Sequence, residues 1–308
     1  MAERMANPRL GAFWALVSAV LWGSTFVVAR HLLAGQRVDP LTLSLLRFVG
    51  GGAALLLGSL LIRGAGGMRI AVADLGRLAA LAFFGIVGMC VLLFYGQAET
   101  SAVNGALLMQ ANPIFIAMLG LFIGERPTRR QGLGLGLALA GVLMVLNVIS
   151  SGGVQLAGLG NRGDLLVLAS AGCWALYSVF SKGVVGRLGG FRATAWCMLL
   201  GAAEMLVLWA VLPGKKVWPA TGVDWAIVGY LALLPTAVAF FAWYEAMNHV
   251  SLSFLNATQY LTPAITALLA WLLLDERLTW ANGAGMALIL SGVVLAGTKP
   301  AAAREARS

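Results

Sequence analysis

The sequence predicts an all-α integral membrane protein: ten transmembrane helices in two inverted five-helix repeats, with both termini cytoplasmic. Three observations lead there. The chain has 308 residues, 60% of them hydrophobic and 11% charged, whereas a soluble domain carries about 25% charge. Apolar runs of about 20 residues, the length that crosses a bilayer, recur along the whole chain. Blocks of sequence also return at a near-constant offset of 150 to 152 residues.

The predicted spans are residues 11–33, 40–62, 75–97, 102–123, 130–149, 164–186, 191–212, 224–247, 252–273 and 280–297. The first is read as an uncleaved span, because the apolar stretch Leu10–Leu33 is longer than the core of a signal peptide. The 39 glycines suit membrane helices, where glycine is frequent. Basic residues collect between spans and at the ends, so the +9 net charge reads as membrane orientation and not as nucleic-acid binding. With the N-terminus inside, fourteen of the 21 Lys and Arg lie on inner segments, six on outer ones, and Arg47 within the second span. Cys90, Cys173 and Cys197 sit singly in apolar runs and predict no disulfide. With His31 and His249 they show no metal-ligand spacing.

The repeat is specific. "LVSAVLWGSTFVVAR" (Leu16–Arg30) aligns with "LASAGCWALYSVFSK" (Leu168–Lys182), pairing Ser18 with Ser170 and Trp22 with Trp174. "LLMQANPIFIAMLGLFIGERPT" (Leu107–Thr128) aligns with "ATQYLTPAITALLAWLLLDERLT" (Ala257–Thr279), pairing Pro113 with Pro263, Glu125 with Glu276 and Arg126 with Arg277. Gly132, Gly134 and Gly141 pair with Gly283, Gly285 and Gly292. The predicted repeats cover 10–149 and 163–298, leaving 299–308 as a cytoplasmic tail. Five crossings are an odd number, so the second copy enters the membrane upside down relative to the first. Secondary transporters use this construction, with a solute site near the midplane that opens to each side in turn.

Pro113 and Pro263 fall near the middle of spans four and nine, where each frees a carbonyl, that of Met109 or Gln259. In lipid a freed carbonyl must face a partner or a watery cavity. Each proline therefore marks either a broken helix beside the substrate or a kink repaired by its neighbours. Asn256, Gln259, Tyr260 and Pro263 share a helical face, as do Ser101, Asn104, Gly105 and Asn112. Amides at this depth bind solute or bridge helices; Gln110 points off the face and reads as structural. Trp22 and Trp174 occupy matching mid-span positions, while Tyr95, Tyr177, Trp243 and Tyr244 add rings with polar tips. These suit a largely apolar pocket or plain packing between helices.

Ionisable residues within spans are functional candidates by default. Arg47 would hold a substrate carboxylate or pair with an acid. Glu204, mid-way along span seven, is the proton-coupling candidate, while Glu99 and Glu245 lie nearer span ends. Glu125-Arg126 and Glu276-Arg277 also lie at span ends and predict caps or juxtamembrane ion pairs. The small-residue faces Gly132/Gly136 and Gly285/Gly292 predict scaffold packing or a dimer contact. Trp218, Trp225 and Trp280 read as interface anchors.

Trp22-Gly23-Ser24 with Phe26, Arg47 after Asp39-Pro40, and the blocks Pro113…Gly124-Glu125-Arg126 and Pro263…Asp275-Glu276-Arg277 together resemble the drug/metabolite transporter superfamily, in its EamA-type ten-helix branch. The resemblance covers residues 10 to 298. It implies an exporter of small metabolites in a bacterial inner membrane, and looks closest to aromatic and neutral amino-acid exporters. The short multidrug transporters of the superfamily depend on an acid in their first span. Spans one and six here have none in their middles, which argues against a lipophilic-cation pump.

Other classes fare worse. An intramembrane enzyme would need Ser with His, or two facing aspartates; both histidines lie near span ends and no span centre holds an aspartate. A primary pump would show a Gly-rich loop ending in Gly-Lys-Ser/Thr, and a channel rings of charge or a filter segment. Nearly uncharged, aromatic-lined spans with isolated amides suit a zwitterionic or neutral solute, with sugars and nucleosides as the alternative to amino acids. Phosphorylated solutes would require more buried cations than Arg47. The expected partners are a small-molecule substrate and the lipid bilayer, with no cofactor, metal or nucleic acid, and with monomer or homodimer open.

Overall fold

A computed structural model describes residues 7–64, 68–122, 128–146, 149–150, 153–154, 161–250, 254 and 258–297. Its helices are α1 (Pro8–Ala34), α2 (Pro40–Arg63), α3 (Val72–Glu99), α4 (Ala102–Phe122), α5 (Arg129–Val145) and α6 (Arg162–Phe180). After these come α7 (Lys182–Leu188), α8 (Gly190–Val211), α9 (Gly222–Met247), α10 (Leu261–Leu274) and α11 (Trp280–Gly297). Seven of them, α1 to α4, α6, α8 and α9, are long and apolar enough to cross a membrane, and α10 and α11 contribute shorter apolar stretches. A two-residue antiparallel ladder pairs Ile149 with Val154 and Ser150 with Gly153.

Local signals set the helix starts. Pro8 and Pro40 occupy first-turn positions where a missing N–H costs nothing. Asn7 and Asp39 precede them and accept from the backbone amides of Arg9 and Leu10, and of Leu41 and Thr42. Thr128 with Gln131 closes a capping box on α5, and Thr279 with Asn282 makes the matching reciprocal pair at α11. Two boundaries differ from the sequence expectation. Predicted span six, 164–186, divides at a turn on Ser181, where the shorter α7 takes over, and predicted span five, 130–149, stops at Val145. The motif Glu125-Arg126, most of the predicted ninth span before Thr258, and the tail 299–308 lie outside the described residues.

Each half contains a π-helical segment, Phe83–Gly88 within α3 and Leu233–Val238 within α9, displaced by 150 residues. In α9 the cause is visible. Pro235 brings no backbone N–H, and the Thr236 hydroxyl donates to the Leu231 carbonyl at 2.9 Å instead. The opposite half packs onto each π segment through a glycine. A Cβ on Gly51 of α2 would fall 2.5 Å from Thr236 Cγ2, and one on Gly201 of α8 would fall 2.6 Å from Ile86 Cγ2. Gly51 and Gly201, like Ile86 and Thr236, are 150 residues apart.

The contact between α5 and α11 obeys the same rule. Gly141 faces Gly285 and Gly134 faces Gly292, so numbers rise along one helix as they fall along the other and the two run antiparallel. Since Gly134 matches Gly285 and Gly141 matches Gly292, each contact is the other with its partners exchanged. Such an exchange is the signature of a local two-fold axis between the helices. Around this frame the outer surface is apolar, with Phe122 87% exposed, while Phe48, Phe94, Leu107, Leu108, Met198 and Met205 fill the interior.

Close approach at Gly141 leaves 2.7 Å between a new Cβ and the Gly285 carbonyl oxygen, whereas nothing stands within 4 Å of a Cβ at Gly136. Gly141→Leu is expected to cost about 1–3 kcal/mol. It should lower the thermal unfolding temperature of the detergent-purified protein, while Gly136→Leu leaves it unchanged.

Candidate functional site

The polar residues near the prolines gather around two helix interruptions. In α4 the helix stops at Met109, turns through Gln110 and Ala111, and resumes at Asn112. The turn is closed by short bonds from Gln110 N to Leu107 O and from Ala111 N to Leu108 O. In the other half a turn at Gln259–Tyr260 precedes α10, closed by Thr262 N to Gln259 O. A serine stands beside each. Gln259 Nε2 donates to Ser18 Oγ at 3.3 Å, and Ser170 Oγ lies 3.0 Å from Met109 Sδ. Ser18 and Ser170 also bond their own helices at Ala15 O and Val167 O, which are matched positions in turn.

Just past each break stands a residue preceding proline. Asn112 Oδ1 and Thr262 Oγ1 are both buried with no hydrogen-bond partner among the described residues. A buried acceptor without a partner carries a penalty of about 1–3 kcal/mol, so two of them at equivalent places form the strongest polar candidate for solute contact. Sequence reasoning singled out Asn112 and missed Thr262. The available signal was the offset itself, since Thr262 precedes Pro263 as Asn112 precedes Pro113. Tyr260 is half-buried beside its break, and Asn256 lies outside the described residues.

The aromatic candidates separate. Trp22 donates its indole N–H to the Pro235 carbonyl at 3.0 Å and packs on Phe240 and Trp243, so it braces the π segment of α9. Trp174 stacks on Tyr177 at 5.2 Å. The Tyr177 and Tyr244 hydroxyls both reach Thr194, drawing α6, α8 and α9 together. Gly85 lies flat against the Tyr177 ring, where a Cβ would fall 2.5 Å from Cγ. Tyr95 is exposed on the flank of α3. Trp218 and Trp225 stack in a row with Trp209, and Trp280 is the most exposed tryptophan of the predicted anchors.

Asn104 bridges helices: its amide oxygen accepts from Asn282 Nδ2 at 2.6 Å and its nitrogen reaches Asp164 at 3.4 Å. Asp164 also accepts from Thr100. Glu276 crosses between halves, its carboxylate accepting the amides of Ala102 at 3.0 Å and Val103 at 3.3 Å at the start of α4. A negative group suits that end of a helix. Arg30 closes the other end of α3, donating to the carbonyls of Gln97 and Ala98. Glu99 pairs with Arg162, and Glu245 with His249. Glu204 Oε2 is buried without a hydrogen-bond partner among the described residues, and Arg47 is buried against Thr236. No group of three or more metal-ligating side chains occurs among the described residues.

The EamA-like transporter family model matches residues 9–147 and 161–298. The chain belongs to the EamA-like transporter family. It is similar to a probable terminal-alkyne amino-acid exporter of Streptantibioticus cattleyicolor, 30% identical over 92% of both chains. It is also similar to an inner membrane transporter of Escherichia coli, YedA, at 28% identity over 96% of this chain and 92% of that one. A crystal structure sharing 24% identity superposes with a TM-score of 0.65 over 97% of this chain and 99% of its own, which shows a common fold. In this EamA-like transporter the Glu276 cap is structural. Glu276→Ala is expected to destabilise the protein by about 1–2 kcal/mol, read as a lower unfolding temperature, with no change in the KM of any transported solute.

Proposed function

We propose that this EamA-like transporter is a secondary carrier that exports small metabolites, foremost neutral and aromatic amino acids, across a bacterial inner membrane. Ten spans form two inverted five-helix repeats with cytoplasmic termini, and alternating access proceeds around a central site between them. The observation that carries the reading is the pair of matched helix breaks, each followed by a buried oxygen lacking a partner, Asn112 Oδ1 and Thr262 Oγ1. Broken helices at matched places of inverted repeats leave unsatisfied polar groups that a solute can satisfy. An ammonium group, rich in donors, is the natural complement to two oxygens. Transport in place of catalysis accords with the two relatives named above, one an inner membrane transporter and the other a probable terminal-alkyne amino-acid exporter.

Around the breaks, Gln259, Tyr260, Met109 and Pro113 shape the pocket, with Trp174 and Tyr177 closing its apolar side. Glu204 is the proton-coupling carboxylate in this scheme. It is a half-buried acid on α8 whose Oε2 is buried with no hydrogen-bond partner among the described residues, placed to take a proton.

The test is flux in proteoliposomes with labelled phenylalanine, methionine and threonine. Saturable uptake that unlabelled amino acid competes away is expected, and a pH gradient should accelerate it. Asn112→Leu and Thr262→Val should each raise KM by about tenfold to 150-fold, the worth of one hydrogen bond to a charged group. Glu204→Gln should transport without responding to the gradient. Linear, non-competable flux would replace the carrier with a pore, and no flux of any of the three would remove the amino-acid assignment.

A further inference from the structure

Arg47 is a buried cation with no acid partner among the described residues. It stands eight residues into α2 and is only 5% exposed. Its Nε donates to Thr236 Oγ1 at 2.9 Å, it lies beside the Cys90 thiol, and its guanidinium carbon is 5.3 Å and 5.6 Å from the ring centres of Phe48 and Phe94. Every one of these neighbours is neutral. Two buried acids show the usual compensation: Asp224 pairs with Arg37 at 3.2 Å, and Asp164 accepts hydrogen bonds from Thr100 and Asn104.

The obvious counter-ion is absent from its place. Trp209 of α8 bonds Thr42 of α2, and Met198 lies opposite Gly52, so α2 and α8 run antiparallel and set Glu204 at the depth of Arg47. Yet no ion pair joins them. Even the mildest measure of an arginine at the centre of a membrane helix is roughly 2.5–3.5 kcal/mol unfavourable. A guanidinium carries five N–H donors in a fork that matches a carboxylate bidentately. Here the fork makes one side-chain oxygen contact, to a hydroxyl whose proton already goes to Leu231 O. That hydroxyl belongs to a π segment, the part of α9 whose backbone bonding is least regular.

We propose that the Arg47 guanidinium anchors the carboxylate of the transported solute, with the π segment of α9 yielding Thr236 as the solute arrives. This rests on the carrier reading above and narrows it to solutes bearing a free carboxylate, excluding sugars, nucleosides and simple amines.

The experiment compares L-phenylalanine, 3-phenylpropionate and phenylalaninamide as competitors of labelled phenylalanine in proteoliposomes, and as stabilisers of the purified protein against thermal unfolding. Sodium chloride at equal concentration serves as the bare-anion control. Phenylalanine should compete and stabilise best, and phenylalaninamide should be weaker than phenylalanine by about tenfold or more. 3-Phenylpropionate, which keeps the carboxylate but loses the ammonium contacts, should still stabilise measurably. Arg47→Gln should raise KM by a similar factor, and Arg47→Lys should fall between. Phenylalaninamide competing within twofold of phenylalanine overturns the proposal, and so does chloride stabilising as well as phenylalanine. An Arg47→Gln protein that unfolds like wild type and keeps its KM also overturns it. Absent phenylalanine flux would defeat the amino-acid reading by itself. The binding arm on wild-type protein still judges Arg47, because equal stabilisation by phenylalanine and phenylalaninamide, or none by either, removes the carboxylate site.

Discussion

A carbonyl released from a helix inside a bilayer has no water to accept from, so every interruption of regular bonding must be repaired by protein or by solute. This chain interrupts its helices at matched places: the turns before Asn112 and Leu261, and the π segments of α3 and α9. Much of the remaining side-chain architecture repairs them. Trp22 answers the carbonyl of Pro235, Thr236 answers that of Leu231, and Ser18 and Ser170 stand by the two turns. Asn112 and Thr262 are left over, which is why they, and not the better-bonded Asn104, carry the functional reading.

The glycines serve the same end from outside. A π segment is wider than an α-helix, and its neighbour must come close without a side chain in the way. Gly51 against Thr236 and Gly201 against Ile86 meet that need in the two halves. The α5–α11 contact is regular and tight by comparison, with four glycines interlocked around a local two-fold axis. The carrier we propose requires both kinds of contact, one that holds the halves together and one that can adjust. The chain separates them spatially, so the interlocked pair can stay fixed while the irregular helices move.

The positions of most apolar helices were legible because runs of about 20 apolar residues leave a strong signal. Seven such helices among the described residues are long enough to cross a membrane. The pairing of positions was legible because similar residues recur at an offset of 150 to 152. The prolines announced both breaks, although the α4 turn falls at Gln110–Ala111, one residue beyond the Met109 carbonyl expected to be freed. The π segments left no mark that pattern reading would catch. An extra residue in a turn changes neither composition nor hydropathy, and only Pro235, with Gly85 at the equivalent place, hints at them. Glu276 was expected to cap or pair, yet its object is α4, about 170 residues earlier in the chain. Such long-range partners depend on tertiary geometry that spacing does not encode. Trp22 illustrates the same limit: its mid-span position suited a solute pocket, while its indole N–H is committed to Pro235.

The matched positions are equivalent in place but not in chemistry, and that difference bears on direction. Gln259 faces Ser18 with an amide where Met109 faces Ser170 with a thioether. Thr236 holds Arg47 where Ile86, its counterpart, has no hydrogen-bonding group, and Pro235 stands where the other half has Gly85. Two identical halves would make the inward and outward states equal in free energy. Unequal bonding at the breaks makes them unequal, and the polar half must release more hydrogen bonds when it opens. In the carrier we propose, a solute that replaces those bonds lowers the cost of the step selectively, since a ligand shifts an equilibrium only by its differential affinity for the two states. The side on which Arg47 and Thr236 separate is therefore the side whose opening depends most on solute being present.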